Sequence, residues 1–220
     1  LLRQLFFADQ LTKHQVLILI TNNSFLNINL YKFIYIQIMR ETTYSFANNI
    51  LNKDKITELN KLIHSNFVQD IKDRAATGAI KSSQVKFIKL GMIHNFLAPF
   101  IDFCLTANNT NFGFDLHQLT SHKIINYNTY EQGEEYSWHI DATSKSPISD
   151  IKLTCLLNLS EGSYDGGELI LFKGKEIECK EFNEPGSAVV FPSFTNHKVN
   201  KLLSGKRHTL AIWMAGPKFR

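Results

Sequence analysis

The feature that most constrains this chain is a change of rhythm near Asn111. Beyond it the sequence breaks into short β-branched and aromatic runs separated by turn residues. Eight such runs read as strands: Lys123–Tyr130, Glu135–Asp141, Ile151–Ser160, Glu168–Lys173, Glu176–Cys179, Ser187–Phe191, His197–Leu203 and Arg207–Met214. The punctuation between them is glycine-rich, at Gly162 through Gly167, Gly174, Glu184-Pro185-Gly186 and Ser204-Gly205-Lys206. Many short strands cannot all bury a face in one open sheet, and the economical solution is two sheets face to face. A mostly β fold is expected, a double-sheet jelly roll (double-stranded β-helix) with N-terminal helices packed on one outer face.

Upstream of Asn111 the apolar spacing is helical. Asn52 reads as an N-cap, with Leu51 and Ile56 placed to form a hydrophobic staple across it. Ile56, Leu59, Leu62, Ile63 and Phe67 then recur at helical spacing. A second helix is expected from Val85, Ile88, Met92, Phe96, Phe100 and Cys104, interrupted near Pro99, with 75–83 as a loop or irregular strand between the two.

Residues 1–38 follow a different pattern. Val16 to Ile38 is apolar but broken by Asn22, Asn23, Asn27 and Asn29, which disfavours a spanning helix. No small-residue cleavage site follows, which disfavours a signal peptide. These residues are read as an extension outside the domain, with residues 39–220 forming one domain that opens at Met39. At 220 residues and 44% hydrophobic content the chain can bury one good core. A net charge of +4, with lysines interleaved among acidic residues, argues against a nucleic-acid-binding stripe. Cys104, Cys155 and Cys179 lack metal-type spacing and fit a reducing cytoplasm.

The chemistry concentrates in the β half. His139 and Asp141, two apart on a strand, point to one face. With one more histidine they make the 2-His-1-carboxylate set that holds Fe(II) and leaves positions open. His197, after the strongly apolar run Ala188–Phe191, is the candidate third ligand. Ten residues on, beyond a turn, lies Arg207, sharing a strand face with Thr209 while His208 and Leu210 take the other. A guanidinium inside a barrel needs a carboxylate, and a small diacid could supply it. His14, His64, His94, His117, His122 and His208 fit no such geometry.

These elements resemble the 2-oxoglutarate/Fe(II) dioxygenase superfamily, in its prolyl 4-hydroxylase-like branch and among bacterial PKHD-type hydroxylases. The matching residues begin with Tyr130-x-x-Gly133-x-x-Tyr136-x-x-His139-x-Asp141 and Tyr164-Asp165-Gly166-Gly167-Glu168-Leu169. Pro185-Gly186-Ser187, Phe191-Pro192-Ser193, His197-x-Val199, Gly205-x-Arg207 and Trp213-Met214-Ala215-Gly216-Pro217 complete them. The resemblance covers roughly Phe46 to the C-terminus and implies residue roles. His139, Asp141 and His197 would bind Fe(II); Arg207, helped by Tyr130 and Thr209, would bind 2-oxoglutarate, and Tyr136 would line the pocket. Oxygen would be the co-reactant and ascorbate a candidate reductant, with hydroxylation of a peptidyl or small-molecule substrate as the outcome. No nucleic-acid partner is implied, since the demethylase branch carries an arginine where this chain has Trp213, and no membrane partner is expected given the broken apolar run at Val16 to Ile38. Asp141 leaves no vacancy for halide, which disfavours a halogenase. One departure stands out: Asn158 occupies a place where the branch often has tyrosine. A competing reading is a cupin-like metal-binding or sensor module without turnover.

Overall fold

The computed structural model describes residues 43–72, 79–142 and 146–219. The expected extension at 1–38 and the domain start at Met39 lie outside them, as does part of the expected loop at 75–83. The order is β1 (Ser45–Ala47), α1 (Lys53–Asn66), β2 (Gln69–Lys72), β3 (Gln84–Lys89) and α2 (Leu90–Ala107), which runs into a π turn at Asn108–Phe112. Ten strands follow: β4 (Ile124–Tyr130), β5 (Tyr136–His139), β6 (Ser149–Asn158), β7 (Asp165–Gly166), β8 (Leu169–Phe172), β9 (Glu176–Glu178), β10 (Ala188–Pro192), β11 (Asn196–Val199), β12 (Leu202–Ser204) and β13 (Arg207–Pro217).

All pairings are antiparallel and build a jelly roll. The major sheet runs β1-β10-β6-β13-β4-β3-β2, the minor sheet β5-β11-β8-β9, and β12 and β7 form a small third ladder. Strand alternation divides the major sheet cleanly. Tyr127, Cys155, Leu157, Val190, Leu210 and Ile212 pack outward against the helices. Tyr130, Val189 and Phe191 turn inward to meet Leu169, Leu171 and Val199 of the minor sheet. The helices therefore cover one outer face and leave the space between the sheets for chemistry.

Helix α1 is the helix foreseen, except that it ends at Asn66 and leaves Phe67 as an extended, 40% exposed C-cap. The Asn52 side chain accepts from the Lys55 N–H at 3.0 Å, and Leu51, Ile56, Leu59 and Ile63 are buried in one cluster. The second helix differs from expectation. Val85 and Ile88 belong to β3, where Ile88 pairs with Ile125 of β4. A three-residue spacing is compatible with either structure, and pairing with β4 and β2 decides for strand. The buried stripe of α2 is Leu90, Ile93, Leu97, Phe100 and Cys104, while Met92 is 47% exposed. Nor does Pro99 interrupt α2. Pro99 and Asn95, whose carbonyl loses its helical partner, both face solvent, where water can satisfy that carbonyl. The helical stretch Leu90–Phe112 is long and apolar enough to cross a membrane by length and composition, yet its buried stripe packs into the core beside the major sheet. The expected strand His197–Leu203 is split into β11 and β12, with Asn200 donating its N–H to Glu168 and Leu202 to Glu134.

Candidate metal and cosubstrate site

His139 closes β5 and His197 stands on β11, directly opposite it in the ladder. Two residues beyond His139 the chain turns, and the Asp141 N–H donates to the Ser193 carbonyl at 2.9 Å. This brings Asp141 Oδ1 to 3.6 Å from His139 Nε2 and Oδ2 to 3.5 Å from His197 Nε2. One ligand atom from each of the three lies within 4.8 Å of the others. Each imidazole is fixed from behind: Nδ1 of His139 bonds the Ser137 carbonyl at 2.8 Å and Nδ1 of His197 the Thr195 carbonyl at 2.9 Å. With Nδ1 protonated for those bonds, both Nε2 lone pairs face the carboxylate. Burial, reinforced by neighbouring His197, pushes His139 down to about 4, so its ring is neutral and can ligate.

Asp141 is anchored by the opposite sheet. Its Oδ2 accepts from Thr154 Oγ1 on β6 and Trp213 Nε1 on β13, both at 2.8 Å. Two imidazoles from the minor sheet and a carboxylate held by the major sheet thus converge on one point. Neutral nitrogens with one carboxylate oxygen suit a divalent transition metal, and the Fe(II) triad fits this donor set.

Arg207 begins β13 opposite Tyr130, and it is 1% exposed. Its guanidinium carbon lies 5.5 Å from the Tyr130 ring centre and 5.4 Å from that of Phe182. Nε and Nη2 are buried and have no hydrogen-bond partner among the described residues. A buried guanidinium with unused N–H groups is costly unless a ligand accepts from them, so the residues present fit a carboxylate of 2-oxoglutarate. Space for the side chain comes from Gly167 (φ +69°), where a Cβ would sit 3.0 Å from Arg207 Cδ. The Asp165-Gly166-Gly167 motif is therefore a tight turn, as its composition suggests, and also a cradle.

The same pocket is lined by Tyr130, Tyr136 and Thr209, so the three expected metal ligands and the four residues expected around the cosubstrate meet here. Burial raises the Tyr130 hydroxyl to about 12 despite the opposing pull of Arg207, keeping it a donor. Tyr136 stacks on His139 with ring centres 3.5 Å apart. Asn158 lies outside the pocket lining: its amide donates to Tyr164 Oη and to the Phe182 and Asn183 carbonyls. It braces the fold where a tyrosine was the alternative.

Lys81, Asn128, Thr154 and Trp213 were missed. Trp213 was accessible in principle, since Arg207, Thr209, Ala211 and Trp213 alternate onto one face of β13. Asn128 likewise shares a face with Tyr130. Lys81 carried no signal, because its place depends on pairing with a segment more than fifty residues away. His208 and His64 pack around Tyr127 on the helix side, with ring centres 5.5 and 5.6 Å from it, and stay apart from the triad.

Comparison with known proteins agrees with this geometry. Residues 125–215 match the model of the 2OG-Fe(II) oxygenase superfamily. A PKHD-type hydroxylase of Synechococcus sp. (strain CC9605) is 42% identical over 84 residues, 37% of this chain and 37% of that protein. One from Shewanella frigidimarina (strain NCIMB 400) is 38% identical over 103 residues, 42% of this chain and 44% of that protein. The matches to these two relatives thus span less than half of their length. A PKHD-type hydroxylase of Acinetobacter baumannii is 27% identical over 76% of this chain and 75% of its own. Among solved structures, a Pseudomonas putida prolyl-4-hydroxylase superposes with a TM-score of 0.63 at 20% identity, covering 85% of this chain and 100% of that one. The viral collagen prolyl hydroxylase of Paramecium Bursaria Chlorella virus-1 gives 0.61 at 15% identity, covering 81% and 99%. At such identities the two structures speak for the fold, and the sequence matches carry the family. The similarity to the 2OG-Fe(II) oxygenase superfamily thus lies in residues 125–215, the stretch that holds the triad and Arg207.

Proposed function

We propose that the protein is an Fe(II)- and 2-oxoglutarate-dependent dioxygenase that hydroxylates an unactivated C–H bond, in the manner of PKHD-type and prolyl 4-hydroxylase-like enzymes. The observation that carries this reading is the pairing of a His139–Asp141–His197 triad with a buried Arg207 whose Nε and Nη2 lack hydrogen-bond partners among the described residues. A metal-binding module without turnover has no use for such a guanidinium.

His139, Asp141 and His197 would hold Fe(II). Arg207 would grip the distal carboxylate of 2-oxoglutarate through paired N–H donors, with the Tyr130 and Thr209 hydroxyls beside it. When bound, iron, the keto acid and oxygen supply the oxidation: one oxygen atom enters the substrate as hydroxyl and the other the succinate formed with release of CO2. The chain's own part is orientation. Thr154 and Trp213 hold Asp141, the Ser137 and Thr195 carbonyls set the imidazole tautomers, and Leu156, Leu169, Val199 and Ala211 keep the walls apolar. Ascorbate would serve as reductant.

The substrate is read as peptidyl or small. One similar fold, a prolyl hydroxylase from Trichoplax adhaerens, was solved with a peptide fragment. The three free buried thiols fit a reducing cytoplasm. The test is succinate release from iron-loaded protein supplied with 2-oxoglutarate and oxygen. Release that exceeds the metal-free control and disappears in His197→Ala supports an enzyme. Stoichiometric iron binding with no succinate would favour the module.

A further inference from the structure

Lys81 has no role in the scheme above, yet it lines the same pocket. It belongs to an extended strip laid along β5, the edge strand of the minor sheet. Backbone bonds pin the strip on both sides of Lys81. The Ile80 N–H donates to Ser137 Oγ at 2.8 Å, the Ser137 N–H to the Ile80 carbonyl at 2.9 Å, and the Ser82 N–H to the Glu135 carbonyl at 3.1 Å. Strand alternation then sends Ile80 to solvent, 67% exposed, and Lys81 inward, 9% exposed. The ammonium donates to Asn128 Oδ1 at 2.9 Å and stands 4.9 Å above the Tyr136 ring, which itself stacks on His139. Asn128 is neutral, and an ammonium has three N–H groups to place.

The charge count makes Lys81 the surplus. Among the described residues lining the pocket, the formal charges are Lys81, Asp141 and Arg207. A divalent metal and Arg207 bring three positive charges, and Asp141 with the two carboxylates of 2-oxoglutarate brings three negative ones. The site balances before Lys81 is counted. An additional buried cation without a counter-charge is unfavourable, and burial pulls Lys81 down to about 8 against the attraction of Asp141. Among the described residues no counter-anion for Lys81 lines the pocket, which leaves its ammonium open to an anion from a third molecule.

We infer that the substrate carries a carboxylate near the carbon to be hydroxylated, and that Lys81 receives it. This rests on the pocket being the iron and 2-oxoglutarate site. Two sources share that chemistry, a free amino acid and the acidic terminus of a peptide.

The experiment has a binding arm and a turnover arm. Anaerobic titration of iron-loaded native protein, Lys81→Met and Lys81→Arg with 2-oxoglutarate should give affinities within about threefold of one another, because the cosubstrate is already balanced. Succinate release is then followed with free L-amino acids against their carboxamides, and with N-acetyl peptides ending in a free acid against the same peptides amidated. Native protein should be stimulated at least tenfold better by acids than by amides in one of the two series, which names the source. Lys81→Met should lose that preference, and Lys81→Arg should keep part of it. A tenfold loss of 2-oxoglutarate affinity in Lys81→Met would assign Lys81 to the cosubstrate and overturn the inference. So would a native enzyme that does not favour acids in either series, or a Lys81→Met variant that still does. Failure of native protein to bind iron and 2-oxoglutarate would instead sink the enzyme reading itself.

Discussion

Arg207 is the side chain whose environment makes the sharpest demand. It sits between two aromatic rings with two nitrogens left over, so its energetics are unfinished until a carboxylate arrives. Losing one partner of a buried charged pair costs about 3–5 kcal/mol. Arg207→Ala should therefore raise the 2-oxoglutarate dissociation constant roughly a hundredfold or more, at about 1.4 kcal/mol per tenfold. Arg207→Lys keeps charge but loses the two-pronged geometry and should fall in between. Anaerobic titration of the iron-loaded protein measures both, and unchanged affinity in Arg207→Ala would place the clamp elsewhere. Trp213 makes a different prediction. Its N–H is one of two donors on Asp141 Oδ2, so Trp213→Phe removes that donor and loosens the carboxylate while keeping an aromatic side chain. Metal affinity should drop roughly ten- to a hundredfold, as is usual when a ligand's outer partner is removed. Equilibrium metal titration of the variant reads this directly, and native affinity would show that Thr154 alone orients Asp141. His139 and Asp141 were legible as a pair because they are two residues apart, although a turn after β5 rather than the expected strand delivers Asp141. The resemblance joined His197 and Arg207 to them. Lys81 was not legible, because its partners Asn128 and Tyr136 are supplied by strands remote in sequence.

At the scale of elements, the helix–strand boundary at Lys89–Leu90 shows what sequence pattern leaves open. Val85 and Ile88 recur like helix residues, but Ile88 is committed to strand by its place beside Ile125. By contrast α1 was readable, since its cap, staple and stripe are all local. The β7–β8 turn carries a prediction of its own. Gly167 and Gly174 both have positive φ, +69° and +72°, but only Gly167 faces Arg207 and Leu202, while nothing lies within 4 Å of the Cβ site at Gly174. An alanine at either position costs about 1–2 kcal/mol in backbone strain. Gly167→Ala should in addition displace Arg207 and weaken 2-oxoglutarate binding at least tenfold, whereas Gly174→Ala should lose stability alone. Chemical denaturation paired with 2-oxoglutarate titration separates the two effects. Equal cosubstrate affinity in both variants would show that the guanidinium does not need the cradle.

At the scale of the molecule, the site is a junction between layers. His139 and His197 stand on the minor sheet, and Asp141 is fastened by Thr154 and Trp213 of the major sheet. A metal bound there would tie the two sheets together near the ends of β5 and β11. No residue of α1 or α2 lines the site; their cluster covers the outer face of the major sheet, whose inner face presents Arg207, Thr209 and Trp213. A ligand that binds only the folded state stabilises it by mass action, by about 2.7 kcal/mol at a hundredfold excess over its dissociation constant. For a domain of this size that corresponds to a rise in Tm of about 5–10 °C, at about 2–4 °C per kcal/mol. Anaerobic thermal melts with and without Fe(II) should show this rise in the native protein, and chelation should reverse it. His197→Ala removes one ligand from β11 and should melt near the native apoprotein without responding to metal. A metal-dependent rise that persists in His197→Ala would mean that the ion stabilises the chain from some other place, and the junction between the sheets would not be the metal centre.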